Sequence, residues 1–217
     1  AIANASAVTV NSPGTLAVSA SDTIGPLSGT GTVSLASGTK LTVQEITATS
    51  TTFSGKLTGA GSFEVSGGGT GTLTLDGTTN DYTGETRLVS GAMLTVSGGT
   101  AIPDASTVRI NSGTLTLAAN EQIGNLTSTN TSPGSTAQVV LGSFTLTMGD
   151  ATDTTFPGVI SGTGNLIKTG TGNLTLAGVN TYTGTTTVST GTLTIAPDAT
   201  PTAAVLNGSG ARLVTVS

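Results

Sequence analysis

Apolar and hydroxyl residues alternate along much of this chain. The recurring form is Gly-Thr-Leu-Thr-Leu, seen at Gly14 to Val18, Gly31 to Leu35, Gly113 to Leu117 and Gly191 to Ile195. A period of two is the signature of a half-buried strand, with Leu, Val and Ile facing one side and Thr and Ser the other. Threonine suits both demands, because its β-branch fits the pleat and its hydroxyl fits water. Gly, Asn and Asp between these segments supply turns. No segment carries a helical period with caps, so the pattern predicts an all-β chain.

The strands belong to a longer repeat. Ala5 to Leu16 matches Ala105 to Leu115, and Phe53-Ser54-Gly55 matches Phe156-Pro157-Gly158. The glycines of Leu57-Thr58-Gly59-Ala60-Gly61 reappear in Ile160-Ser161-Gly162-Thr163-Gly164. Gly71-Thr72-Leu73-Thr74-Leu75 matches Gly172-Asn173-Leu174-Thr175-Leu176, and Tyr82-Thr83-Gly84 matches Tyr182-Thr183-Gly184. The offsets run from 100 to 103 residues. One continuous unit over 1–217 is expected, with copy one at about 5–104, copy two at about 105–200 and a partial third copy at 201–217. The third copy is marked by Leu206-Asn207-Gly208 and Leu213 to Val216. Long similar repeats, small aliphatic core residues and Gly-rich corners predict stacking rather than a sandwich. The expected fold is a right-handed parallel β-helix, a β-solenoid built from tandem repeats. Coils of roughly 20–25 residues spaced about 4.8 Å apart give about nine or ten coils and a rod roughly 45 Å long.

Composition narrows the function. Only 8% of the 217 residues are charged, net charge is −5 and mean hydropathy is +0.24. The six basic residues, Lys40, Lys56, Arg87, Arg109, Lys168 and Arg212, are scattered singly. They form no stripe for nucleic acid, and aromatics at 3% offer no stacking platform for bases. There is no cysteine, so stability rests on hydrogen bonds and burial. No apolar run is long enough to span a membrane. Ala1 to Ala7 carry no basic region followed by an apolar stretch, so no signal peptide is expected there. Neither Val8 to Val18 nor Leu213 to Val216 reads as a polar cap. The expectation is either excision from a longer array or head-to-tail stacking of copies into a fibre.

One stretch carries a family pattern. Phe156 to Leu176 holds Gly162, Gly164, Lys168, Gly170, Gly172, Leu174 and Leu176, and continues through Asn180 and Tyr182 to Gly184. It resembles the autotransporter-associated β-strand repeat, also called the passenger-associated transport repeat. The Lys-x-Gly-x-Gly turn, the Leu-Thr-Leu strand and Asn-Thr-Tyr-Thr-Gly follow in order. Copy one keeps Gly59, Gly61, Gly71, Leu73, Leu75, Tyr82 and Gly84. It places Val65 where the family has lysine, and carries an extra residue around Asn80-Asp81-Tyr82. The resemblance implies a passenger region outside a Gram-negative cell, a right-handed β-helix and a role in adhesion, biofilm or presentation of a distal domain. It also implies an outer-membrane anchor outside this chain. These motif residues are expected to be structural.

Candidate chemistry is sparse. Without His or Cys, Ser-His, Cys-His and imidazole–metal chemistry are excluded. Asp76, Asp81 and Glu85 form the densest acidic group and are the candidates for a carbohydrate-active acid–base pair. Copy two has Ala177, Thr181 and Thr185 at the nearest positions, which favours a solvated turn. Asp150-Ala151-Thr152-Asp153 offers oxygen ligands, yet calcium takes six to eight and an Asx turn is simpler. Gly59-Ala60-Gly61 and Gly162-Thr163-Gly164 precede no helix that could bind phosphate. Tyr82 and Tyr182 are glycan contacts or coil caps with the hydroxyl in water. The pairs Thr72/Thr74, Thr114/Thr116, Thr145/Thr147 and Thr192/Thr194 would point outward, and on one face of successive coils they could bind ice or another surface. No catalytic, metal or cofactor residue is assigned. A structural or adhesive segment is expected, with self-association and a host-surface or glycan receptor as its possible partnerships.

Overall fold

The computed structural model describes residues 1–45, 48–130 and 135–196. The expected third copy, with Leu206 to Gly208, Leu213 to Val216 and Arg212, lies outside the described residues. All regular structure among them is β-strand, twenty-four strands numbered β1 to β24 in chain order, and each named pair of strands is parallel. The chain winds as a β-solenoid of about nine turns. Parallel neighbours need a crossover, and here each crossover is the rest of one coil.

Three faces result. Face one stacks β1 (Val8–Thr9), β4 (Leu27–Ser28), β7 (Thr51–Phe53), β10 (Leu73–Leu75), β12 (Ala92–Val96), β14 (Gly113–Leu117), β17 (Ala137–Val140) and β20 (Val159–Ser161). Face two starts with β2 (Thr15–Val18), β5 (Thr32–Leu35) and β8 (Lys56–Gly59). Loops around residues 80–83 and 101–102 take its next two places. It resumes with β15 (Glu121–Ile123), β18 (Thr145–Met148), β21 (Asn165–Lys168) and β23 (Thr186–Val188). Face three holds β3 (Asp22–Ile24), β6 (Lys40–Gln44), β9 (Ser62–Ser66), β11 (Thr86–Val89), β13 (Thr107–Ile110) and β16 (Asn125–Thr127). It continues with β19 (Thr154–Phe156), β22 (Asn173–Leu176) and β24 (Thr192–Ile195), and Thr127 Oγ1 donates to the Thr155 carbonyl at 3.4 Å across that junction.

The alternation read from the sequence becomes columns. On face one, Leu73, Leu94, Leu115, Val139 and Ile160 lie in register and are fully buried. On face three, Val43, Val65, Leu88 and Ile110 do the same. Each inward residue therefore packs on its counterpart one coil away, giving one continuous core of small aliphatic side chains.

Corners explain many of the glycines. A Cβ on Gly55 would lie 2.0 Å from the Gly31 carbonyl oxygen; one on Gly77, 2.3 Å from that of Gly55; one on Gly98, 2.8 Å from that of Gly77. The coils stack so closely at this corner that backbone occupies the place of a side chain.

The two copies do not superpose by translation alone. The strand with Leu57 is on face two, whereas its match with Ile160 is on face one. The Leu73-Thr74-Leu75 strand is on face one, and its match at Leu174-Thr175-Leu176 is on face three. From β7 to its match β19 the chain passes fourteen strand or loop places. That is four coils and two faces, so the 100-residue repeat is not a whole number of coils.

Candidate functional site

The motif positions shared by the copies hold equivalent places. Asn80 Oδ1 accepts from the Leu57 amide at 2.7 Å, and its Nδ2 donates to the Ala101 carbonyl at 2.8 Å. Asn180 Oδ1 accepts from the Ile160 amide at 2.9 Å. These side chains supply sheet hydrogen bonds where loops replace strands. Gly59 and Gly162 both adopt positive φ, 102° and 112°. A Cβ on Gly84 would meet the Gly61 carbonyl oxygen at 2.3 Å, and one on Gly184 that of Gly164 at 2.0 Å. Gly71, Leu73, Leu75, Gly172, Leu174 and Leu176 line the inner side.

The tyrosines are not water-facing caps. Tyr82 is 1% exposed, and its hydroxyl lies 2.5 Å from Thr86 Oγ1; Tyr182 is buried with its hydroxyl 2.7 Å from Thr186 Oγ1. Thr86 Oγ1 continues to Ser106 Oγ at 3.2 Å, which donates to the Gly84 carbonyl at 2.8 Å. Burial pushes both phenols above their usual pKa. A glycan cannot stack on rings so enclosed. The Thr86/Thr186 partners went unnoticed in the sequence, although they share the same 100-residue offset.

Lys168 departs furthest from a surface role. It is 1% exposed and stands in the inward column Ile123, Met148, Lys168, Val188. Its Nζ donates to the carbonyls of Thr169, Gly170 (3.0 Å) and Thr190 (3.4 Å). Hypothetical Cβ atoms on Gly149 and Gly191 would each lie 3.0 Å from Nζ. Glycines thus make the room that the ammonium fills. Desolvation lowers its pKa, while Asp150 and Asp153 favour the charged form.

The acidic candidates are dispersed. Asp81 pairs with Lys56 at 2.6 Å, and that hydrogen bond, with a second from Thr58, holds its carboxyl below the usual range. Glu85 accepts from Arg109 Nη2 at 2.5 Å. Asp76 sits at the end of β10 with Oδ1 buried and unpartnered among the described residues. A shallow groove of about 460 Å³ runs past Asp81 and Asp104, but an acid–base pair needs one carboxyl held protonated, and Asp81 is shifted the other way. Asp150 makes the expected turn contact, accepting from the Thr152 amide (2.5 Å), whereas Asp153 reaches across to the next coil and accepts from the Asn173 amide (2.7 Å). Among the described residues no three His, Cys, Asp or Glu side chains come together as a metal site.

Charge is concentrated on face three. Lys40 Nζ lies 2.7 Å from Glu64, Arg87 Nε 3.6 Å from Glu64 and 4.0 Å from Glu85, and Arg109 closes the series on Glu85. Spacings of 23 and 24 residues, one coil, between Lys40 and Glu64, Glu64 and Arg87, and Glu85 and Arg109 were the available signal. Two further acids are internal. Burial raises Glu45, opposed by Thr51, and raises Glu121 to about 7, opposed by the amides of Ile102 and Ala101.

The threonine pairs divide among the faces. Thr72/Thr74 and Thr114/Thr116 share face one, Thr145/Thr147 lie on face two and Thr192/Thr194 on face three.

Parallel coils stacked into one solenoid, with no acid–base pair assembled among the described residues, define the class: a β-solenoid repeat protein. The passenger-associated-transport-repeat model matches residues 68–100 and 166–195. The chain thus carries the passenger-associated transport repeat twice, and these repeats indicate a place outside or at the surface of a Gram-negative cell. It is 37% identical over 183 residues to the adhesin BmaC autotransporter of Brucella suis biovar 1 (strain 1330). That match covers 79% of this chain and 5% of the relative. No solved structure matches the chain significantly.

Proposed function

We propose that the chain is an adhesive, rod-forming segment of an autotransporter passenger, linked through its parent protein to an outer-membrane anchor beyond these residues. The passenger repeat folded within an unbroken stack of coils carries this reading. The described lysines and arginines are taken up by carboxylates or, for Lys168, by backbone carbonyls, which suits a passive scaffold. The motif residues are structural in this reading, from Gly59 to Gly84 in copy one and from Gly162 to Gly184 in copy two. The two copies point them at different faces, so they cannot form one binding stripe. The described residues act as one solenoid in this reading. Head-to-tail association of copies and a host-surface or glycan receptor belong to the same proposal, since a coil of matching register can pair with another.

Displaying the chain on a Gram-negative cell through a fused outer-membrane barrel tests it. Cells carrying the chain are expected to adhere several-fold better to epithelial monolayers or matrix than cells carrying the barrel alone. Equal adherence on every surface tried would contradict the adhesive role.

A further inference from the structure

Face one differs from its neighbours in two ways. Its eight strands contain no Asp, Glu, Lys or Arg, while face three carries the ion-pair series and face two carries Lys56. One of its two outward columns is made of hydroxyls, the other running through Met93, Thr114, Gln138 and Val159. Thr52, Thr74, Thr95 and Thr116 are in direct register on four successive coils. Thr9 and Ser28 extend the column on one side; Val140 interrupts it before Ser161 on the other.

The hydroxyls themselves are available. Among the described residues those of Thr52, Thr74, Thr95 and Thr116 have no protein hydrogen-bond partner. Several hydroxyls elsewhere are used internally: Thr42 donates to Glu64, Thr127 to a carbonyl and Thr194 to Asn173, and at the end of the column Thr9 and Ser28 bond each other at 2.9 Å. Four partner-free hydroxyls and the absence of charge coincide on face one.

The chemistry selects the occupant. A charged partner would strand its charges against a face that has none to pair with them, and desolvating an unpaired charge is costly. Hydroxyls donate and accept, so they match hydroxyls. The face lacks exposed aromatic rings and arginines, the usual anchors of protein interfaces. Each hydroxyl contact is weak, so useful binding needs many at once along a long partner. We propose that face one is a docking surface for a long, uncharged, hydroxyl-rich polysaccharide lying along the solenoid axis. This names a partner class for the adhesive reading and rests on it.

Co-sedimentation of the 217-residue chain with insoluble cellulose and chitin, beside heparin beads as a charged comparison, tests the proposal. The chain is expected to bind a neutral polymer, with little effect of salt. Thr74→Val with Thr95→Val keeps the β-branch and removes two hydroxyls. It is expected to weaken binding about tenfold at unchanged melting temperature, and Thr95→Lys is expected to weaken it further. Four results would overturn the idea: no binding to either neutral polymer, binding that the valine pair leaves intact, binding to heparin alone, or a concentration-dependent dimer abolished by Thr95→Lys without polysaccharide binding. Thermal hysteresis without polysaccharide binding would also overturn it, assigning the face to ice. If the valine pair loses no adherence in the displayed-cell assay and the purified chain ignores both polymers, the polysaccharide face falls while the adhesive role stands.

Discussion

Lys168 shows how a charged residue comes to stand in an apolar core. The sequence marks it as a structural motif position, with Val65 at the matching place in copy one. The structure makes both core residues, since Val65 and Lys168 lie on inward columns. The difference is glycine: Gly149 and Gly191 leave the ammonium room to reach the carbonyls of Thr169, Gly170 and Thr190. That room belongs to neighbouring coils, which is why one-dimensional reading misses it. Buried acids follow the same logic and have a consequence in pH. Glu121 is 2% exposed with Oε2 unpartnered, and its pKa is raised from 4.5 to about 7 by desolvation. An acid whose folded pKa is raised contributes stability that is complete below its unfolded pKa and is lost as pH rises through the folded one. The loss reaches at most about 3.5 kcal/mol, each tenfold change in proton affinity being worth about 1.4 kcal/mol. Glu45 is raised too and acts in the same direction. Denaturant midpoints should therefore fall between pH 5 and pH 8. Glu121→Gln should flatten much of that slope, and an unchanged slope would remove Glu121 as its source.

At the scale of elements, alternation was a sufficient guide to strands. Gly113 to Leu117 and Gly31 to Leu35 are strands or strand edges as read. What alternation could not give was the face on which each strand lies. Two places on face two are held by loops, and Asn80 makes the sheet bonds there with its side chain. A loop residue doing a strand's work leaves no period-two trace. Nor could the sequence rank its glycines. A Cβ on Gly77 would lie 2.3 Å from a backbone oxygen, whereas Gly91 has open space around it and only a φ of 77° to satisfy. Gly77→Ala should destabilise by about 3 kcal/mol or more, because backbone cannot yield as a side chain does. Gly91→Ala should cost about 1 kcal/mol, the left-handed backbone alone. Urea unfolding of both variants checks the ranking, and equal losses would refute the close-packed corner.

The whole molecule is governed by the mismatch between repeat and coil. Self-similarity at 100 residues was plain in the sequence, and so was the solenoid. The two-face offset between copies was not, because it depends on how many strand places fit in a repeat. Its consequence is functional: a stripe along the rod is made by unlike residues from successive coils, as in the hydroxyl column of face one. That column is also a ruler. The chain has no cysteine, so spin labels can be placed freely. Thr9 can be paired in turn with Thr74, Thr116 and Ser161, which stand three, five and seven coils along the column. Electron–electron distances of about 14, 24 and 34 Å are expected from a spacing of about 4.8 Å per coil, rising linearly. Distances that level off or fall across the series would contradict the solenoid and, with it, the continuous uncharged face.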